Sequence, residues 1–436
     1  MPSSTQPPLR RSLGFWALVV YGVGDILGAG IYALVGKVAG MAGHASWLSF
    51  LMALVVATFT ALTYAELGGR FPKSAGESWF AEQAFGSKRF ALAVGWVVLC
   101  SGVLSLATMS LAFAGYLAGL LPGVPIFFVV IAMLTLLAFI NFRGIRESSA
   151  ANILATTIEL TGLLIVVVVG AVFLAKTGAA DAVETAAPAP APTWANIAQG
   201  GAIAFFAFIG FEDMVKVAEE VKDPERNMPR AILLALLVTG VVYLVVIVVA
   251  TRVVEPSVLA QSDAPLLTVV ERAEPRIPTW LFGLIALFAV ANTALLNFIM
   301  GSRMLYGMAR QGLLPSWLGA VHRTRRTPHW AILAVLVVAL GLALSGSLTY
   351  LAGTTSLLLL LVFFTLHVSL IVIKRRDDRD QSTFRVPFAV PILGAITCVA
   401  LMPFVPRGSI ATGVAILALA VVLAARVESL ASNPSD

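Results

Sequence analysis

Residues 22–32 read Gly22-Val-Gly-Asp-Ile-Leu-Gly-Ala-Gly-Ile-Tyr32, a glycine-rich stretch within an apolar run that extends over about 14–40. A run of this length is long enough to cross a bilayer as a helix. Glycine weakens a helix, and a helix that opens at mid-membrane frees N–H and C=O groups that need other partners. A zwitterion can supply them, because a helix N-terminus attracts a carboxylate and free carbonyls accept from an ammonium. The stretch therefore predicts a broken helix with a small-molecule site.

A second stretch of this kind runs from Phe205 to Asp213 and reads Phe205-Phe-Ala-Phe-Ile-Gly-Phe-Glu-Asp213. Taken singly, each stretch also fits glycines that allow helices to pack closely. The two lie in the first and the sixth apolar segments. That separation of five segments favours an inverted repeat with a broken helix in each half.

The composition places the whole chain in a membrane. Of its 436 residues, 59% are hydrophobic and only 12% are charged, with a mean hydropathy of +0.93. A soluble domain carries roughly 25% charged residues. These values exclude a soluble enzyme, a nucleic-acid binder and a disordered protein, so we expect a lipid bilayer and no nucleic acid as the surroundings.

The apolar runs predict an all-α polytopic membrane protein with twelve transmembrane helices in one transporter domain over 1–436. In this interpretation 1–13 is the cytoplasmic N-terminus, 14–175 is repeat one with spans 1–5, and 197–373 is repeat two with spans 6–10. Residues 387–426 add spans 11 and 12 to this five-plus-five inverted repeat. The predicted spans are 14–40, 45–68, 91–121, 124–141, 152–175, 197–220, 230–252, 279–309, 329–346, 349–373, 387–405 and 409–426.

The net charge of +6 is distributed unevenly between the two sides of this topology. Most of the basic residues fall in loops on the side of the termini. Cytoplasmic loops are enriched in Lys and Arg, so we expect both termini in the cytoplasm. The short termini favour a bacterial inner membrane. The loops on the other side carry only Lys176, Arg252, Arg272, Arg276 and Arg407.

The remaining polar residues predict neither a cofactor nor an enzyme. Cys100 and Cys398 lie in separate apolar runs, and the four histidines are scattered without metal-ligand spacing. No phosphate-binding loop of the Walker A type is present, so ATP does not drive the protein directly. We expect no metal site and no cofactor other than a possible coupling ion, H⁺ or Na⁺.

Several motifs in this order resemble the amino acid–polyamine–organocation superfamily of transporters. They are Gly28-Ala-Gly-Ile-Tyr32, Ala65-Glu-Leu-Gly-Gly-Arg-Phe-Pro-Lys-Ser-Ala-Gly-Glu77, Gly144-Ile-Arg-Glu-Ser148, Phe205 to Asp213 with Glu219 to Arg230, and Gly301 to Pro315. The resemblance covers most of spans 1–10 and does not identify a substrate. It implies a carrier that moves an amino acid or an amine by alternating access around a mid-membrane site.

The resemblance also implies which residues bind the substrate. The N–H groups of Ala29, Gly30 and Ile31 would hold its carboxylate, and carbonyls of span 6 would hold its amino group. Phe206 matches an aromatic position that closes over substrate in relatives, and ordinary core packing is its alternative role. Cys100, Ser101 and Ser105 of span 3 could line the side-chain pocket. The expected substrate-binding residues are Gly28, Ala29, Gly30, Ile31, Phe206, Ala207 and Ile209.

Acidic residues inside predicted spans are costly to bury and usually mark function or pair with a cation. Asp25 precedes Gly28 by three residues on one helical face, which suits binding of a proton, sodium or a substrate amine. The alternative is a cap-like hydrogen bond to nearby backbone. Glu212 matches a position that is commonly acidic in the family and linked to gating. With Asp213 it could instead form a charge ladder to Lys216.

Glu159 in span 5 departs from the family pattern. Several proton-coupled relatives carry a lysine at the matching position, where it replaces a sodium ion. An acid cannot replace a cation but would attract one, so that lysine mechanism does not transfer. Glu159 could bind sodium, bind a proton or pair with another residue. Asn292 and Thr293 of span 8 fall near the family's cation region and could supply oxygens, or could bond between helices.

The sequence thus predicts a secondary active amino acid transporter, either a cation-coupled symporter or an exchanger. A transporter of polyamines or other organic amines is the alternative. A non-transporting membrane sensor of amino acids is a remote one. The substrate, the coupling ion and the oligomeric state stay open at this point.

Overall fold

All regular structure in the described part of the chain is helical. A computed structural model of the protein describes residues 13–28, 30–71, 76–144, 149–178, 192–310, 314–376 and 384–431. Within these ranges there is no β-strand, and a single parallel bridge joins Leu13 to Val221. Apart from Leu13, the predicted N-terminal segment 1–13 lies outside the described residues.

Sixteen α-helices make up the described chain. They are α1 (Phe15–Leu27), α2 (Gly30–Ala42), α3 (Ser46–Arg70), α4 (Gly76–Phe85), α5 (Lys88–Leu120), α6 (Ile126–Arg143), α7 (Ser149–Thr177), α8 (Trp194–Ala204), α9 (Pro224–Val253), α10 (Pro256–Gln261), α11 (Pro265–Ala273), α12 (Thr279–Arg310), α13 (His329–Ser345), α14 (Leu348–Arg376), α15 (Ala389–Leu401) and α16 (Arg407–Ala431). Short 3₁₀ segments cover Gly43–Ala45, Phe205–Phe208, Phe211–Glu220, Ser316–Gly319 and Met402–Phe404.

The helices identify a polytopic membrane protein. Eight helical stretches of the described chain are long and apolar enough to cross a membrane, and one of them combines α2 and α3. Shorter apolar helices cover Phe15–Leu27, His329–Ser345 and Ala389–Phe404. Many of their large apolar side chains are exposed on the outer surface, as expected of a surface that faces lipid.

Packing encloses α1 and α8 within the bundle. Helix α1 lies against α7 and α9, while α8 lies against α2 and α3. Helix α5 packs along α12 and α14 and is buried over much of its length. The interrupted regions next to α1 and α8 therefore face other helices and not lipid.

A buried carboxylate joins three parts of the chain at one end of the bundle. Glu66 is fully buried and forms an i,i+4 ion pair with Arg70. Its second oxygen lies 2.8 Å from the Lys374 ammonium and accepts from the Val386 N–H at 2.8 Å. This cluster ties α3 to the end of α14 and to the segment before α15.

Candidate substrate site

The first interruption separates α1 from α2. Helix α1 ends at Leu27, and α2 begins at Gly30. Gly28 stands between them with a non-helical ψ of −174°. Ala29, one of the expected substrate-binding residues, lies outside the described residues. The helix is thus broken within the glycine-rich stretch.

The second interruption follows α8. The chain tightens into a 3₁₀ turn over Phe205–Phe208, becomes extended at Ile209 and reaches a φ of 135° at Gly210. A side chain is strained at that φ, so this position favours glycine. The chain then continues as the 3₁₀ helix Phe211–Glu220. The predicted break in span 6 therefore lies at Ile209 and Gly210.

The two interruptions contact each other at glycine residues. A Cβ atom placed on Gly30 would lie 2.6 Å from the Cα of Ala207. A Cβ atom on Gly210 would lie 2.6 Å from the carbonyl oxygen of Asp25. Neither spacing admits a side chain, so these glycines let the two broken segments meet backbone to backbone.

Side chains of the protein already form hydrogen bonds with some of the backbone groups that these breaks leave without a helical partner. The Tyr243 hydroxyl of α9 donates to the carbonyl of Ile26 at 2.6 Å. The N–H of Gly210 donates to Oε2 of Glu212 at 2.7 Å. Unpaired buried backbone groups are destabilising, so these bonds stabilise the open conformation.

A cavity lies beside the contact between the breaks. One side of the cavity consists of the breaks themselves. The other side comes from α5, α12 and α14, which contribute the apolar residues Val98, Leu99, Met109, Leu296, Met300, Met304 and Leu359 and the polar residues Ser101, Ser105, Thr293, Asn297 and Thr355.

Charged groups concentrate on the side of the cavity formed by the breaks. Lys216 pairs with Asp213, and Glu212 caps the Gly210 N–H. Asp25 lines the same cavity, and its buried Oδ2 has no hydrogen-bond partner among the residues that the structure describes. The described residues therefore do not fully satisfy the Asp25 carboxylate.

Another buried carboxylate lies on α7 and is not among the residues that line the cavity. Glu159 is fully buried and its Oε1 accepts from the Asn292 amide at 3.1 Å. Its Oε2 has no partner within the described ranges. The Tyr32 hydroxyl donates to the Glu159 carbonyl at 2.7 Å, which fixes α7 against α2. This arrangement can hold a proton or a small cation between α7 and α12.

The structure brings most of the expected site residues to one cavity. Gly28, Gly30, Phe206, Ala207, Ile209, Asp25, Glu212 and Thr293 line it, as do Ser101 and Ser105. Ile31, Glu159 and Asn292 do not line it, and Ile31 is fully buried. Cys100 is also absent from the lining.

Sequence reasoning missed several lining residues, chiefly on α12 and α14. Asn297, Met300 and Met304 extend the α12 wall, and Thr355 lies on α14. The run Thr354-Thr355-Ser356 is a polar interruption in an otherwise apolar helix and is the signal that could have indicated α14. The apolar lining residues carry no such signal.

Comparison with known proteins identifies the family of the chain. A family model described as amino acid permease matches residues 13–425. An uncharacterized transporter of Mycobacterium tuberculosis is 32% identical over 425 residues, which cover 96% of this chain and 92% of the relative. The branched-chain amino acid permease BcaP of Bacillus subtilis is 28% identical over 421 residues, or 90% and 86% of the two chains.

A plant relative is named for a different class of amino acid. Cationic amino acid transporter 3 of Arabidopsis thaliana is 30% identical over 393 residues, which cover 86% of this chain and 64% of the relative. The family and these relatives are transporters and not enzymes. The chain therefore belongs to the amino acid permease family of the amino acid–polyamine–organocation superfamily.

Proposed function

We propose that the protein is a secondary active transporter that moves an amino acid by alternating access around the cavity between its two broken helices. The observation that carries this proposal is the meeting of the two breaks at a cavity lined by Asp25, whose buried Oδ2 has no hydrogen-bond partner among the described residues. The N-terminus of α2 suits the substrate carboxylate through Gly28, Ala29, Gly30 and Ile31.

The amino group of the substrate would then lie towards the second break. Carbonyls near Phe206, Ala207 and Ile209 are the proposed acceptors, and all three residues line the cavity. The α5 and α12 walls would surround the substrate side chain.

We also propose that transport is coupled to a cation gradient. Asp25 and Glu159 each have a buried oxygen without a partner among the described residues, as a site for H⁺ or Na⁺ requires. Asn292 bonds Glu159, and Thr293 lies beside the cavity. We assign a gating role to Glu212, and its hydrogen bond to the Gly210 N–H of the second break supports this proposal.

The topology that accompanies this function has twelve spans, with 14–175 and 197–373 as inverted repeats and 387–426 as two added spans. We propose a bacterial inner membrane with both termini in the cytoplasm, on the basis of the basic residues in the loops. Bacterial relatives agree with a plasma membrane.

The named relatives transport different substrates, so the test uses a panel. Purified protein in proteoliposomes would be given labelled branched-chain and cationic amino acids and polyamines. Each would be run with a proton gradient, a sodium gradient or internal amino acid. Saturable uptake of an amino acid supports the proposal. Uptake of polyamines alone would favour the amine alternative, and binding without uptake would favour a sensor.

A further inference from the structure

A basic, aromatic surface lies where α6 and α12 end and α13 begins. All of its members have exposed side chains. We call it the arginine–tryptophan surface. It consists of Arg143, Trp317, Arg323, Arg325, Arg326 and Trp330.

Hydrogen bonds hold the three loop arginines on a defined turn. The N–H of His322 donates to the Thr327 carbonyl at 2.9 Å, and the N–H of Arg326 donates to the His322 carbonyl at 2.9 Å. The N–H of Arg325 donates to Nδ1 of His322 at 3.2 Å. The turn therefore presents its arginines from a fixed backbone and not from a free linker.

The same turn is fastened to the end of α6. The Thr327 hydroxyl donates to the carbonyl of Phe142 at 2.9 Å, and the His322 ring packs edge-on against the Phe142 ring at 5.1 Å. Arg143 follows Phe142 directly and lies over the Phe139 ring at 5.5 Å. Arg143 is thereby brought beside the loop arginines, although about 180 residues separate them in the sequence.

Two exposed tryptophans give this surface the character of a boundary between membrane and water. Trp317 and Trp330 are 52% and 43% exposed, and their rings meet edge to face at 5.9 Å. Trp330 is the second residue of α13, which carries no Asp, Glu, Lys or Arg. Tryptophan concentrates at the boundary between hydrocarbon and water, where its ring is buried and its N–H is hydrated.

No acidic residue lies near the three loop arginines, Arg323, Arg325 and Arg326, in the sequence. Residues 275–376 contain neither Asp nor Glu. The ion pairs within the described ranges involve none of the four arginines. Among the described residues, the guanidinium groups of the three loop arginines are therefore available to an external anion.

We infer that the arginine–tryptophan surface binds the headgroups of anionic phospholipids. Guanidinium groups bind phosphate in a bidentate manner, and adjacent arginines can contact one phosphodiester or two neighbouring ones. The tryptophans would pack on the glycerol and upper acyl region of the same lipids. Because the surface links α6, α12 and α13, bound lipid would hold these helices together at that end.

The test is lipid retention by the full-length protein in a neutral detergent, measured by native mass spectrometry. Phosphatidylglycerol and phosphatidylcholine with the same acyl chains would be titrated separately. We expect the wild type to retain phosphatidylglycerol preferentially. The triple variant R323Q/R325Q/R326Q should bind it on the order of 100-fold more weakly and bind phosphatidylcholine unchanged.

A matched triple variant distinguishes a local surface from overall charge. R272Q/R276Q/R407Q removes three exposed arginines elsewhere and lowers the net charge by the same amount, so it should retain phosphatidylglycerol like the wild type. Three results would overturn the inference: equal loss in both triples, no loss in the loop triple, or no headgroup preference in the wild type. Displacement of the lipid by millimolar inorganic phosphate would also overturn it, since it would indicate a site for a soluble anion.

Discussion

Replacing Gly30 with alanine probes the contact between the two broken helices. The added Cβ would lie 2.6 Å from the Cα of Ala207, whereas carbon atoms in contact are normally about 3.5–4.0 Å apart. The obstacle is backbone and not the end of a flexible side chain. The two breaks would have to separate by about 1 Å, with a change in the shape of the cavity.

Helix propensity and overpacking predict opposite signs for the change in folding stability of Gly30→Ala. Alanine is favoured over glycine inside a helix by up to about 1 kcal/mol, and less at the first residue of a helix such as Gly30 of α2. Overpacking in a close-packed interior destabilises by roughly 1–3 kcal/mol. We therefore expect Gly30→Ala to lose about 1–2 kcal/mol of folding stability, whereas propensity alone predicts a gain.

Thermal unfolding in detergent measures the loss of folding stability, and uptake into proteoliposomes measures the effect of the altered cavity. Gly30→Ala should melt a few degrees lower, and it should transport more slowly because the cavity changes shape. Gly341→Ala in α13 is the control, because no atom lies within 4 Å of its added Cβ. Wild-type melting and wild-type uptake in Gly30→Ala would refute the contact.

Three further substitutions test other parts of the account. Glu66→Gln removes the fully buried carboxylate that pairs with the partly buried Lys374 and should destabilise the protein by about 3–5 kcal/mol in a denaturation titration. Tyr243→Phe leaves the Ile26 carbonyl without its donor and should lower stability by about 1–3 kcal/mol in the same titration. Glu159→Gln should abolish the dependence of uptake on the coupling-ion gradient, measured as the ratio of uptake with and without that gradient.

Each substitution has a control that changes the same chemical group. Glu271→Gln removes an exposed carboxylate, and Tyr306→Phe removes a hydroxyl that is only partly buried. Both should behave like the wild type. Stability losses no larger than those of the controls would contradict the roles of Glu66 and Tyr243. Unchanged gradient dependence in Glu159→Gln would remove that residue from the coupling mechanism.

The sequence predicts the breaks because their cause is local. Glycine at Gly28, Gly30 and Gly210 weakens helical structure wherever the chain folds, and an apolar run makes the interruption conspicuous. The acidic residues of the site could be predicted from the sequence for the same reason. A carboxylate such as Asp25 stands out in an apolar span, whatever its partners.

Partners across the bundle could not be predicted in this way. Glu159 and Asn292 lie 133 residues apart and pair only through the packing of α7 on α12. Glu212 and Asp213 are adjacent in sequence, yet the first caps Gly210 and the second pairs with Lys216. The 3₁₀ geometry of Phe211–Glu220 decides this division, and residue spacing on an ideal α-helix did not indicate it.

The cavity lining was likewise only partly predictable. Polar residues such as Ser101 and Ser105 could be suspected on an apolar helix, and both line the cavity. Leu296 and Met300 have the same character as residues that face lipid. Their orientation depends on how α12 packs along α5, which hydropathy does not specify.

Substrate protection of a single cysteine in the cavity tests the central claim most directly. In a background with Cys100→Ala and Cys398→Ala, Asn297→Cys places one thiol in the lining of the cavity. Ser347→Cys places an exposed thiol outside it as the control. The account predicts that a transported amino acid slows modification by a small methanethiosulfonate at position 297 and leaves the rate at position 347 unchanged. An unchanged rate at position 297 under saturating transported substrate would contradict the account.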